Sequence, residues 1–524
     1  MAESLRGREI FPIVSLGAVL WVLWVTSRWI ANGDFRAVVL GGLFFAVGML
    51  SLAVLKNWRS GFYLFLVWLL FEDVARKYMG NGTVFFFGKD VLLAIVCASF
   101  LLEQRRRPVK LFRPPFLWSL ALFGLLAVAQ VFNPNSPSIV YGLLGLKLYF
   151  YYIPLMFLGY ALIREPSDLD RFVAINMVLA SIIAGLGIVQ AIRGPGFLNP
   201  AEMAPELSLA GLGRESPITH LEILRPSSVF VSTGRYTAYL IPMFILGFGS
   251  AVYSFLRGSR SWRLVLVPLS IVMVAAFMGG SRGCAVWVAF SAIILSVATR
   301  WGTAWLPRKG IAIRKIMHRT LAVLVVGLCL AAVAFPERLK AYFAVYSETL
   351  DPRNPESDLI ARIWSYPLDN LISAFSQPNW LLGNGTGTAS LGGQYVARLL
   401  GTRQTSLGVE EGFGTLMLEL GILAPLLWLW WTVSAASSCL KTALKTKRAD
   451  VFPLAFALWW YVLILLVLGT WGGMAQYQNF LSNAYVWLFI GILFRLPALS
   501  PLSRNLVPVY GAELPTGLVR NSDK

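Results

Sequence analysis

Long apolar stretches, separated by short polar or basic connections, recur along the whole chain. They run Phe11–Val25, Ala37–Leu55, Gly61–Phe71, Val84–Leu102, Phe116–Val131, Ile139–Ile163, Phe172–Ile192, Tyr236–Leu256, Leu264–Phe277, Ala285–Val297, Leu321–Phe335, Phe413–Trp431, Phe452–Leu468 and Phe480–Phe494. These runs lack the two-residue alternation of half-buried strands. In lipid only helices and closed barrels satisfy every backbone polar group. The pattern therefore predicts an all-α polytopic membrane protein of about fourteen transmembrane helices. Several runs are shorter than the ~20 residues a bilayer requires and must borrow flanking residues. Gly61–Phe71 is the shortest, and reads either as a span or as a re-entrant segment.

Composition supports this reading. Of 524 residues, 57 % are hydrophobic and 14 % charged, and mean hydropathy is +0.66. A water-facing surface uses roughly a quarter charged residues, so most of the chain faces lipid or other helices. The net charge of +19 has the magnitude of a nucleic-acid signal, but its placement gives it another meaning. With the N-terminus inside, alternate connections carry 28 of the 45 basic residues, including Arg105–Arg113 and Arg300–Arg319. Positive-inside bias then predicts that both termini are cytoplasmic. No basic run is interleaved with aromatics in a soluble module, which argues against nucleic acid as a partner. Membrane lipid is the expected surrounding partner.

No cleavable signal peptide is evident, because Phe11–Val25 lacks a small-residue cleavage site and another apolar run follows at once. Cys97, Cys284, Cys329 and Cys439 form no pairing or metal pattern. With His220 and His318 as the only histidines, no metal site and no cofactor are expected.

The chain divides into N-terminal transmembrane helices (1–192), an outward loop (193–235), central helices (236–335), a large outward loop (336–410), C-terminal helices (411–495) and a cytoplasmic tail (496–524). Outward loops this long are usually functional or separately folded. The larger contains Leu359, Ile360, Ile363, Trp364, Leu368, Leu371, Ile372 and Phe375. That spacing predicts an amphipathic helical stretch, interrupted at Pro367 and suited to the outer interface. Gly383-Asn-Gly-Thr-Gly387 follows, a turn requiring unusual backbone angles. Together these predict a helical cap over an outward-facing cavity.

The outward ionisable residues carry the candidate chemistry. Arg225-Pro-Ser-Ser leads through Arg235 into the Tyr236 run, and Gly279-Gly-Ser-Arg282-Gly joins two runs. Arg338, Lys340, Arg353, Arg362, Arg398 and Arg403 lie in the large loop, which closes on Glu410-Glu411. Guanidinium forks match phosphate oxygens and stay charged at physiological pH. The alternative for the loop arginines is snorkelling, or pairing with acidic loop residues. Lys89, Asp90 and Lys147 fall within apolar runs, where charge is functional by default. Lys147 meets a lipid diphosphate, pairs with Asp90 as a structural bridge, or snorkels.

The Gly279-Gly-Ser-Arg282-Gly turn resembles the serine–arginine–glycine turn of the O-antigen ligase and Wzy-type O-antigen polymerase superfamily. Arg225-Pro-Ser-Ser-Val-Phe is similar to an Arg-centred motif preceding a span in that family. Leu381-Leu-Gly383-Asn-Gly385-Thr-Gly387 and Glu410-Glu-Gly-Phe-Gly-Thr-Leu-Met-Leu-Glu419-Leu-Gly421 resemble its closing signature. Ligases of the family carry His-Asn where Glu410 stands here, so the chain looks like a polymerase member.

The resemblance implies a GT-C-like enzyme of the bacterial inner membrane, active on the periplasmic face. It would join polyprenyl diphosphate-linked oligosaccharide repeat units into a surface polysaccharide such as O-antigen or exopolysaccharide, without metal or cofactor. A flippase and a chain-length regulator are the implied protein partners. Arg225, Arg235 and Arg282 are the candidates for stabilising the departing diphosphate, with Arg362, Lys147 and Lys89 as further substrate-binding candidates. Glu410 is the candidate general base, with Glu411 as its neighbour. An acid at a helix start also simply complements the dipole. The alternatives are a ligase moving the glycan to another acceptor and a lipid-linked oligosaccharide flippase.

Overall fold

The computed structural model describes residues 53–80, 83–106, 112–200, 212–215, 222–303, 308–316, 336–347, 361–401, 412–447 and 450–499, with isolated positions between them. Almost all of these are helical, and among them the only sheet is the two-stranded pair Gly213–Glu215 and Glu222–Leu224. Eleven of the fourteen apolar runs coincide with helices. Phe11–Val25, most of Ala37–Leu55 and Leu321–Phe335 lie outside the described residues, as do Glu410, Glu411 and the tail from 500 onward.

The chain forms two compact units. In the unit containing Trp58–Trp68 and Phe87–Arg106, Trp58 packs edge-on against Phe100 at 5.1 Å. Ser99 donates to the carbonyls of Val54 and Leu55 at 2.9 and 3.1 Å. Lys89 and Asp90 are both buried in this unit.

The other unit, Leu69–Phe86 with the chain from Val109 onward, contains among its described residues eight helices long and apolar enough to cross a membrane. They are Ile139–Leu162, Pro166–Arg193, Thr233–Leu256, Ser261–Met278, Arg282–Gly302, Leu423–Lys445, Phe452–Gly472 and Phe480–Leu499. Thr233–Leu256 and Phe480–Arg495 are buried around nearly their whole circumference, as expected of apolar helices at the centre of a bundle. Ser261–Met278 and Arg282–Gly302 expose Leu264, Val267, Ile293 and Val297, a surface suited to lipid. Phe480–Arg495 packs along Pro154–Leu162. There Gly491 meets the Met156 backbone and Gly159 meets Leu488, leaving no room for a Cβ on either. Small residues bring the two backbones together, which is how helices gain packing energy in lipid.

Two runs are divided by backbone chemistry that hydropathy does not register. Ile139–Ile163 turns at Tyr151–Ile153, ahead of Pro154, whose ring nitrogen has no hydrogen to donate. Phe413–Trp431 breaks at Gly421, with φ of +88°. This separates a nine-residue helix, Gly412–Leu420, from the long helix starting at Leu423. Nine residues are too few to cross a bilayer.

Within this unit, the helix connections sort into two sets. At one end Arg257 pairs with Asp170 at 3.2 Å, Lys309 donates to the Leu256 carbonyl at 2.6 Å, and the Lys447 ammonium sits 3.7 Å from the Trp301 ring centre. At the other, Met79, Arg193, the start of Thr233–Leu256, the 278–282 turn and the residues after 336 carry the contacts described next.

Candidate functional site

Residues 225–235 tie the second set together. Ser227 and Ser228 both donate their backbone N–H to Gln190 Oε1, at 2.9 and 2.7 Å. Ser228 takes a left-handed φ of +51°, which a non-glycine residue adopts only when its surroundings hold it there. Its hydroxyl supplies part of that hold by donating to the Ile183 carbonyl at 2.7 Å. Ser232 then caps Thr233–Leu256, accepting from the Arg235 N–H at 3.3 Å.

Against this segment lies the end of Trp58–Met79, carrying Asp73, Arg76 and Lys77 on one face. Arg235 Nη1 bridges both Asp73 oxygens at 2.8 and 2.7 Å. Arg76 Nη1 reaches Asp73 Oδ1 at 2.8 Å, and the Val231 N–H donates to Oδ2 at 3.2 Å. Lys77 Nζ donates to Ser227 Oγ at 3.2 Å and to the Ser228 carbonyl at 2.8 Å. Asp73 and Arg76 are each only 1 % exposed, and Arg235 is 22 %. Arg235 also stacks its guanidinium 4.8 Å from the Phe480 ring centre.

Asp73, Arg76 and Lys77 end an apolar run, so hydropathy alone does not single them out. Their three- and four-residue spacing, which places them on one helix face, was the available signal.

Arg225 lies against the Gly279–Gly283 turn, which carries Arg282. Gly280 has φ of +61°, and a Cβ there would come within 2.9 Å of Arg225 Cγ, so the Arg225 stem lies directly over the turn. The Tyr342 hydroxyl bridges the carbonyls of Leu224 and Met278, at 3.1 and 3.0 Å, and Tyr346 bonds the Phe277 carbonyl. Burial lowers the Arg225 pKa, and the nearby Tyr346 phenol opposes that shift. Arg225 Nε is buried with no hydrogen-bond partner among the described residues.

Ser281 caps the next helix by accepting from the Cys284 N–H at 3.4 Å, so Arg282 occupies its first turn. Arg235 occupies the first turn of its own helix. Cations there oppose the helix dipole, while the same helix ends favour a bound anion. Beside them Arg193, Gly194, Glu222, Leu224 and Tyr342 line a pocket of about 460 Å³.

A third assembly surrounds Glu419, which is fully buried. It accepts from the Gly387 N–H at 2.5 Å and from the Ser390 hydroxyl at 3.0 and 3.1 Å. Gln478 donates to Ser390 and to the Tyr149 hydroxyl. Gly383, Gly385 and Gly387 all take positive φ, the unusual angles this turn required. Asn384 and Gly385 donate backbone N–H bonds to the carbonyls of Leu418 and Glu419. Gln130 reaches the carbonyls of Leu382 and Leu420. Burial pushes the Glu419 pKa up to about 7, with the Gly387 and Ser390 hydrogen bonds acting the other way. Glu419 thus pins the glycine turn.

Lys147 lies in Ile139–Phe150, and Lys89 in the other compact unit. Arg362 falls in a π-helical turn, Ala361–Ser365, continued by Tyr366–Ala374. Pro367 sits in the first turn of that second helix, where its missing N–H costs nothing and where the stretch changes from π-helix to α-helix. Tyr366–Ala374 packs against Gly412–Leu420. Cys284 and Cys439 are buried. Among the described residues no cluster of three or more His, Cys, Asp or Glu has a metal-binding arrangement. No protein-family model matches this chain, and no curated protein matches it.

Proposed function

We propose that this membrane protein is a glycosyltransferase that joins polyprenyl diphosphate-linked oligosaccharide units into a polysaccharide on the outer face of the bacterial inner membrane. One observation carries the reading: Arg225 lies over the turn that presents Arg282, on the same segment that delivers Arg235 to a helix N-terminus. Guanidinium groups and helix N-termini gathered at one end of the bundle suit an anion with several phosphate oxygens. An outward enzyme has no nucleotide sugar, so its donor must bring its own activation. Charge developing on the departing diphosphate is what fixed cations stabilise, and losing one such donor typically costs ~100–1,000-fold in rate.

In this reading the basic connections and both termini face the cytoplasm, fourteen helices cross the membrane in a GT-C-like arrangement, and the helices of 336–401 form a cap. Asp73 fixes Arg235, and Lys77 fixes the segment between the arginines. Glu419 is occupied by the glycine turn, so Glu410 retains the role of base toward the acceptor hydroxyl, with Glu411 beside it.

Purified protein in liposomes, supplied with a lipid-linked repeat unit, tests the proposal. Longer glycan on the lipid is the expected product. Transfer only to a different acceptor would make the protein a ligase, and translocation without bond formation would make it a flippase.

A further inference from the structure

At the end of the bundle opposite the arginine turn, a cavity of about 910 Å³ opens between Thr233–Leu256, Ser261–Met278, Arg282–Gly302 and the helical residues 308–316. Its walls are apolar along most of their length, from Phe255 and Trp262 at the mouth to Phe244 and Met273 at depth. From Trp262 to Met273 the wall runs about 16 Å along its helix, a span suited to an alkyl chain. The mouth has a different character. Arg300, Arg314 and His318 line it and are exposed.

The two connections flanking the cavity, 257–263 and 300–319, contain Arg257, Arg260, Arg263, Arg300, Arg308, Lys309, Arg314, Lys315 and Arg319 and no acidic residue of their own, although Asp170 of a neighbouring connection pairs with Arg257. The helical residues 308–316 are anchored across the opening. Ile313 packs with Val252 and Leu256, and Lys309 holds the Leu256 carbonyl at 2.6 Å. An apolar slot ending in exposed cations complements one chemistry, an amphiphile with an anionic head.

We propose that this cavity is a binding site for one anionic phospholipid, its acyl chain in the slot and its phosphate on Arg300 and Arg314. A polyprenyl diphosphate donor fits less well. Arg282 and Arg300 occupy opposite ends of one helix, about 27 Å apart at 1.5 Å per residue. A lipid held by Arg300 therefore keeps its phosphate a membrane's thickness from the arginine turn. Its chain wedges between the helices on either side of that turn, which makes it a structural lipid of the bundle.

The test uses the full chain, delipidated in a neutral detergent and mixed with equal amounts of phosphatidylglycerol and phosphatidylcholine. Native mass spectrometry reads the retained lipid. Wild type is expected to retain phosphatidylglycerol over phosphatidylcholine by at least about tenfold, given two basic contacts near the membrane surface. Arg300→Gln with Arg314→Gln should abolish the preference. Ser296→Trp, which fills the slot without changing charge, should abolish retention.

Arg308→Gln with Lys315→Gln removes the same charge from positions that do not line the cavity, and should leave the preference intact. Equal loss from both charge pairs would overturn the site in favour of diffuse attraction. Unchanged retention in Ser296→Trp would overturn it too. Displacement of phosphatidylglycerol by an equimolar polyprenyl phosphate would replace the proposed occupant.

Discussion

Arg225 lies across Gly280 so closely that a single added carbon would touch it, at 2.9 Å from Arg225 Cγ. The backbone there also has φ of +61°, which side chains rarely tolerate. Gly280→Ala should therefore displace Arg225 and lower polymer formation by roughly tenfold, the effect of a penalty near 1.4 kcal/mol. Gly283, three residues on, has open space where a Cβ would stand and lies in the first turn of a helix. Gly283→Ala should keep near-wild-type activity. Equal activity of the two variants in the liposome assay would separate the glycine turn from the chemistry.

Arg282→Lys retains charge but loses the planar fork, so activity should fall ~100–1,000-fold. Glu410→Gln keeps size while losing proton acceptance, and ~100–10,000-fold is expected. Glu411→Gln, which removes the neighbouring carboxylate, is the control. A dead Glu411→Gln beside an active Glu410→Gln would move the base by one residue.

Asp73→Asn leaves Arg235 and buried Arg76 without their shared carboxylate. Breaking one partner of a buried ion pair costs ~3–5 kcal/mol, so the purified variant should melt well below wild type. Asp170→Asn breaks the exposed pair with Arg257, which is worth ~0–1 kcal/mol, and should melt normally. Similar melting of the two variants would show that the Asp73 cluster contributes no special stability.

The Glu419 pKa, raised to about 7 from 4.5, links stability to pH. Between those values the folded protein binds more protons at this position than the unfolded chain does. Its contribution is therefore complete below about pH 4.5, declines as pH rises, and is lost above about 7. Glu419→Gln keeps an acceptor for the Gly387 N–H and removes the titration. The difference in melting temperature between wild type and variant should change across pH 5–8, and a constant difference would refute the linkage.

Cysteine labelling checks the placement of the two ends. Ser376 and Lys315 are both exposed. A cysteine replacing Ser376 should react with an impermeant maleimide from outside, and one replacing Lys315 should not. The reverse pattern would turn the protein over in the membrane.

Hydropathy made most of the helices legible, and the glycine spacing of 383–387 made its backbone angles legible too. What it missed has local causes. Glu72, Asp73, Arg76 and Lys77 stop a hydropathy run, yet the helix continues to Met79, because Asp73 and Lys77 are satisfied by residues 150 to 162 positions away and Arg76 by Asp73 itself. Gly421 and Pro154 interrupt helices within runs that remain apolar throughout. Glu419 was visible as a letter in a motif, but its hold on Gly387 and Ser390 exists only once residues 29 and 32 positions apart meet.

The 162-position separation of Asp73 and Arg235 also sets an order of events during synthesis. When Trp58–Met79 leaves the ribosome, Asp73 has Arg76 beside it, but neither Arg235 nor the Ser227–Ser228 anchor for Lys77 yet exists. Chains emerge at about 5–20 residues per second, so this helix end waits for roughly ten seconds or more. Charged and unanchored, it belongs in water during that interval. Its final seating is therefore a late step of assembly, completed by a segment made long after it.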